Sequence, residues 1–182
     1  MRYFQKIGLS SLIILLSSTA FALPIEQEVK DNLNVSVNGQ ETSLIFNEDE
    51  EDTGQLTIKT KSHQQVFPLA ELPSEKFRWI YFQDYNFDGF TDIAVSSPDM
   101  GMGVYHVFNI FLYQPKAKNF KALDDTKFNF SHSKCTGFTD IKLMPITQQM
   151  TSSCRGGARW WTDLYQFKNG QWKWLKSKEM EE

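Results

Sequence analysis

The chain has 182 residues, with 19 basic and 22 acidic side chains and a formal charge of −3. Its 41% hydrophobic and 14% aromatic content is enough for the core of one domain. A mildly acidic balance argues against nucleic-acid binding, which calls for basic patches.

The first residues read as a targeting segment. Arg2 and Lys6 supply a positive start, Gly8 to Leu16 a short apolar run, and Ala20-Phe21-Ala22 a small-x-small cleavage site. The expected signal peptide is therefore 1–22. Its apolar run is too short to span a bilayer, and no cysteine follows the cleavage site to carry a lipid anchor. Cleavage removes two bases and no acid, which moves the charge from −3 to −5. The expected location is a bacterial periplasm, with no membrane association after cleavage. Residues 23–33 are polar and read as a partly ordered leader. Residues 34–182 read as a single domain.

Along that domain, Asn34 to Asn38 alternates with period two, Asn38-Gly39 signals a hairpin, and Thr42 to Phe46 returns. The acidic run Glu48 to Asp52 reads as a solvated hairpin tip before a strand at Gln55 to Thr60. Val66 to Leu69 and Phe77 to Gln83 follow as strands, with Pro68 and Pro73 marking the loop between them. Further strands are expected at Ile93 to Ser96, Val104 to Tyr113, Ala158 to Phe167 and Trp172 to Leu175, the last two joined by an Asn169-Gly170 turn. No helical period persists for three turns. Short strands with turn chemistry between them predict an all-β fold.

The segment Asp84-Tyr85-Asn86-Phe87-Asp88-Gly89-Phe90-Thr91-Asp92 carries the sharpest chemistry. Asp84, Asn86, Asp88 and Asp92 place side-chain oxygens at loop positions 1, 3, 5 and 9, and Phe90 offers its carbonyl at position 7. Gly89 permits the sharp turn at position 6. Position 12, where an EF-hand has glutamate, is Val95, and apolar runs flank the loop on both sides. The expectation is a calcium ion (Ca2+) in a strand-loop-strand setting; a metal-free hairpin turn is the other reading of the same residues. Gly89 to Ile93 recurs letter for letter as Gly137 to Ile141. In the second copy His132, Lys134 and Thr136 replace Asp84, Asn86 and Asp88, so a repeated unit would bind metal once.

Catalytic patterns are weak, and the chain is not expected to be an enzyme. Asp52-Thr53-Gly54 lacks the apolar strand that an aspartic-protease site needs, Gly101-x-Gly103 is a turn, and His63, His106 and His132 are scattered. In an oxidising compartment Cys135 and Cys154 form a disulfide worth about 3 kcal/mol by loop entropy. A metal or redox pair is the rival, without a C-x-x-C or a histidine set to support it. Ser152 to Trp161 joins Gly156-Gly157 to Arg155, Arg159, Trp160 and Trp161. In strand geometry one tryptophan faces the core and the other solvent. Arginine and tryptophan are enriched at binding hot spots, although a core tryptophan beside a surface arginine accounts for them equally well.

Together these features resemble a family of exported bacterial proteins with a calcium-binding, five-bladed propeller-like fold. The residues that carry the resemblance are the signal peptide, Asp84 to Ile93, the Y-x-x-F-x-I-F-L-Y-Q-P-K stretch from Tyr105 to Lys116, and Ser152 to Ala158 followed by Tyr165. The family includes lysozyme inhibitors and immunity proteins against peptidoglycan-degrading effectors of type IV secretion systems. The resemblance implies a small five-bladed β-propeller-like fold of short hairpins, the alternative being a β-sandwich. It also implies a periplasmic inhibitor whose partner is a peptidoglycan hydrolase or lysozyme-like effector. Invertebrate-type lysozyme inhibitors of similar fold plug their target with an S-G-x-x-Y loop. The nearest match here is Gly156-Gly157-Ala158-Arg159-Trp160, with Gly for Ser and Trp for Tyr. The expected contact residues are Gly156, Gly157, Arg159, Trp160 and Trp161. The competing function is a calcium-stabilised adhesion or glycan-binding module with tryptophan platforms.

Overall fold

The computed structural model describes residues 26–29, 32–48, 54–101, 103–123 and 132–180. The signal-peptide reading, most of the acidic run and Asp52-Thr53 lie outside them. The described residues form thirteen strands in three antiparallel sheets, none closed on itself. The first sheet is a meander of β2 (Leu33–Val37), β3 (Gln40–Glu48), β4 (Gly54–Thr60) and β5 (Gln64–Leu69). The central sheet orders β1 (Glu26–Glu28), β6 (Trp79–Gln83), β7 (Asp92–Pro98), β8 (His106–Gln114) and β9 (Asn119–Ala122). The third contains β10 (Lys142–Met144), β11 (Gln149–Gly156), β12 (Arg159–Lys168) and β13 (Gln171–Glu179).

Period-two alternation explains the stacking. Ile80, Phe82, Ile93, Val95, Phe111 and Tyr113 point from the central sheet toward Val37, Leu44, Leu56 and Ile58 of the first. The intervening residues Tyr81, Ala94, Phe108 and Ile110 point the other way, onto Met150, Tyr165 and Trp172 of the third. Strand β7 therefore has both faces covered, and all of its residues but Pro98 are buried.

The Asn38-Gly39 and Asn169-Gly170 turns form as expected, all four residues having φ between 51° and 74°. Pro68 lies inside β5 rather than in the loop after it, as an edge strand allows. The expected leader supplies an edge strand, Glu26–Glu28 pairing with Trp79–Tyr81. No strand is expected directly before Ala158, yet Gln149–Gly156 forms strand β11 in full register with β12, and Gly156 of the expected Gly-Gly turn belongs to it. The turn between them shrinks to Gly157-Ala158, with Gly157 at φ +65°.

Side chains tie the first two sheets together. The Asn38 amide both donates to Thr91 O and accepts from Thr91 N, each at 2.8 Å. Gln65 clamps Phe120 in the same way, at 2.7 and 2.8 Å. Arg78, buried at 2% exposure, holds Glu48 through Nε–Oε1 at 2.7 Å and Nη2–Oε2 at 2.8 Å. Its Nη1 also donates to Ala70 O and Ser97 Oγ. A Cβ at Gly54 would press on Arg78 Nη2 and Glu48 Oε2, so a larger residue where β4 begins would have to displace the ends of both side chains.

Candidate functional site

The Asp84–Asp92 loop links β6 to β7, so both of its ends are fixed by paired strands. Positive φ at Phe87 (55°) and Gly89 (86°) curls it. Asp84 accepts from Asp88 N at 3.1 Å through Oδ1 and from Gly89 N at 2.8 Å through Oδ2. Asn86 Oδ1 accepts from Asp88 N at 3.2 Å, and Asp88 Oδ1 from Phe90 N at 2.9 Å. The loop thus gathers the oxygens of Asp84, Asn86 and Asp88 at an accessible surface.

Asp92 differs from the other three. It is fully buried, and its oxygens accept from Tyr85 N and Tyr113 N, both at 2.8 Å. Burial pushes its carboxyl up to about 7; those two N–H groups oppose the rise, and Asp88 and Asp84 add to it. Each oxygen retains a second lone pair. Among the described residues no three His, Cys, Asp or Glu side chains stand together as a metal site. The loop brings two carboxylates and one amide to its surface and turns the third carboxylate inward.

The repeated stretch keeps the turn but not the strand. Gly137 has φ +78°, beside +86° at Gly89. Asp140 accepts from His106 N at the start of β8, just as Asp92 accepts from Tyr113 N near its end. Thr139 makes only a single bridge, to Val107, and passes its carbonyl to Ser153 N of β11. This stretch therefore joins the central and third sheets.

The Cys135–Cys154 disulfide locks that junction, with an S–S distance of 2.07 Å. It lies beside a buried carboxylate, Asp163, which accepts from Lys134 N, Cys135 N and Ser177 Oγ. Nothing in the sequence around Asp163 announced that role.

The β11–β12 hairpin tip exposes Gly156, Gly157, Ala158 and Arg159. Trp160 and Trp161 point to opposite faces as expected, but neither is core and neither is fully exposed; both are half-buried. Register explains this. Trp161 lies on the face shared with Asp163 and Tyr165 but beyond the core, opposite Cys154 and Glu179. Arg159 shares that face, with Nη1 3.2 Å from Glu179 Oε2. Lys134 Nζ stands 5.1 Å from the Trp161 ring centre, a contact missed from sequence. The available signal was indirect: Lys134 precedes Cys135, whose disulfide partner Cys154 faces Trp161.

The three histidines remain apart. His63 contacts Ser62 Oγ, His106 Nδ1 lies 3.5 Å from Asp140 Oδ1, and His132 packs on Trp174.

The sequence matches no known protein family and no curated protein. A solved structure of a Xanthomonas type IV secretion system related protein is similar, at 16% sequence identity and a TM-score of 0.48. The similarity covers 81% of this chain and 81% of that one. No helix among the described residues is long and apolar enough to cross a membrane.

Proposed function

We propose that this is an exported, periplasmic binding protein that inhibits a peptidoglycan hydrolase by seating the β11–β12 hairpin tip in its cleft. The three stacked sheets would belong to a propeller-like arrangement, and a structural calcium ion would sit on the Asp84–Asp92 loop. The observation that carries the reading is the tip itself: an exposed two-residue turn followed at once by Arg159, whose side chain is 66% exposed. Trp161 and Lys134 stand on the same face.

Lysozyme-type hydrolases work with paired carboxylates in a sugar-binding cleft. Arg159 can offer its planar fork of donors to such a carboxylate, with the Trp161 ring behind it and Lys134 adding positive charge. To do so Arg159 must release Glu179, an exposed pair worth about 0–1 kcal/mol. Its new pair would be desolvated inside the cleft, so removing Arg159 would strand the partner's carboxylate there, which is what makes the truncation costly. Gly157 holds a positive φ that other residues resist, so the narrow turn depends on it.

The calcium ligands in this reading are Asp84, Asn86, Asp88, the Phe90 carbonyl and Asp92, the last directly or through water. The ion would neutralise carboxylates that otherwise repel one another. The disulfide fits an oxidising compartment.

The test is hydrolysis of peptidoglycan by periplasmic and effector hydrolases, with and without the purified protein. Arg159→Ala should weaken inhibition by about 2 kcal/mol or more, as anchor truncations do, without changing the melting temperature. If no hydrolase is slowed by the parent protein, the reading fails.

A further inference from the structure

Twisted sheets packed face to face diverge at their corners. Beside the Asn169-Gly170 turn, the central and third sheets leave a cleft of about 510 Å³. Small-molecule sites span about 300–1,000 Å³. Half-buried Phe167 supplies aromatic surface on one side, and Trp172, only 7% exposed, adds little to it. Gln171 stands at the rim, Gln114 and Lys121 extend from the central sheet, and Asp88 closes the cleft from the loop.

The chemistry of these walls selects an occupant. One carboxylate and one ammonium leave the cleft without a net charge, which favours neither an anion nor a cation. The side chains of Gln171 and Lys121 make no hydrogen bond among the described residues, although their backbones pair with Lys168 and Leu112. Gln114 Nε2 makes only long contacts, 3.3 Å to Tyr113 O and 3.5 Å to Leu112 O. Each glutamine amide can both donate and accept, which matches hydroxyl groups that do the same. An apolar wall with a few convergent polar groups is the usual form of a small-molecule site. A sugar ring presents that combination, with C–H groups on its faces and hydroxyls at its edge.

We propose that this cleft binds a neutral saccharide. The site is separate from the hairpin tip and does not depend on inhibition of a hydrolase. It also differs from a platform made by Trp160 and Trp161, which lie at the far end of β12.

The experiment is a titration of the purified, isotope-labelled protein with two soluble probes, the tetramer of N-acetylglucosamine and the tetramer of β-1,4-linked glucose. Amide and indole NMR shifts are followed. At least one probe is expected to give saturable shifts at Phe167, Gln171 and the Trp172 indole. Gln114→Ala and Gln171→Ala should each weaken that binding by roughly threefold to tenfold, the loss of one hydrogen bond. Both substitutions alter side chains outside the core, so melting temperatures should be unchanged. Arg159→Ala should leave the affinity as it was. No saturable shift with either tetramer would overturn the proposal, as would shifts centred on Trp160 and Trp161 or full affinity in both glutamine variants.

Discussion

Removing the carboxylate of Glu48 tests the junction between the first and central sheets. The Arg78 side chain is only 1% exposed, whereas Glu48 is 37% exposed. In Glu48→Ala, Nε and Nη2 of Arg78 lose their acceptor, while Nη1 keeps Ala70 O and Ser97 Oγ. Breaking a buried pair from one side costs about 3–5 kcal/mol, because the remaining charge stays buried. Glu48 lies partly in water, so solvent can enter where it stood, and the low end, about 3 kcal/mol, applies. For a chain of this size that lowers the melting temperature by roughly 6–12 °C. Glu48→Gln keeps one acceptor and should lose about half as much. Urea unfolding followed by tryptophan fluorescence, together with a thermal melt, gives both numbers. Glu48→Leu combined with Arg78→Met removes both charges and should recover most of the loss. If Glu48→Ala melts within about 2 °C of the parent, the pair does not hold the sheets. If the double variant is as unstable as the single one, lost packing rather than stranded charge is the cause.

The calcium proposal predicts a higher melting temperature in calcium than in EDTA, by about 2.7 kcal/mol of stability at a hundredfold excess over Kd. Asp88→Ala should abolish that difference and Asp140→Ala should not; a melt indifferent to calcium and EDTA would sink the proposal. Thiol labelling of the denatured, non-reduced protein should find no free cysteine. Reduction should destabilise it by about 3 kcal/mol, the entropy of its closed loop, and an unchanged denaturation midpoint would refute a stabilising role for the disulfide.

Strands with strict alternation were legible because period two leaves little choice of face: Val35, Val37, Leu44, Leu56 and Ile58 all point to one core. The Asn-Gly turns were legible because few other dipeptides adopt positive φ twice. Strand β11 was not. Its Thr151-Ser152-Ser153-Cys154 run is small and polar, yet Ser152 is buried because its hydroxyl bonds Thr139 N and O. Such partners are distant in sequence and invisible until the chain folds. The same holds for Arg78 and Asp163, charged residues that pattern reading assigns to the surface. Residues Asp84, Asn86 and Asp88 lie in a loop between two strands, as the apolar runs on either side indicated, whereas the inward turn of Asp92 depends on Tyr113, from another strand.

The positions of the two candidate sites bear on the role an ion could have. The Asp84–Asp92 loop rests against the β12–β13 turn end, where the Phe87 ring meets Phe167 and Trp172 at 5.9 and 5.5 Å. Arg159 begins β12 at its opposite end. Ten strand residues separate the two ends, roughly 30 Å at the usual rise. An ion on the loop therefore cannot touch the hairpin tip itself. Its influence would run through structure. Asn38 fixes Thr91 at both backbone atoms, and Asp92 fixes Tyr85 and Tyr113, so the loop is joined to the first sheet and to β8. The tip is joined to the centre separately, through Thr139, Ser152 and the disulfide. Because the two anchorages differ, loss of the ion should lower the stability of the whole stack while leaving the tip, in protein that remains folded, fully able to bind.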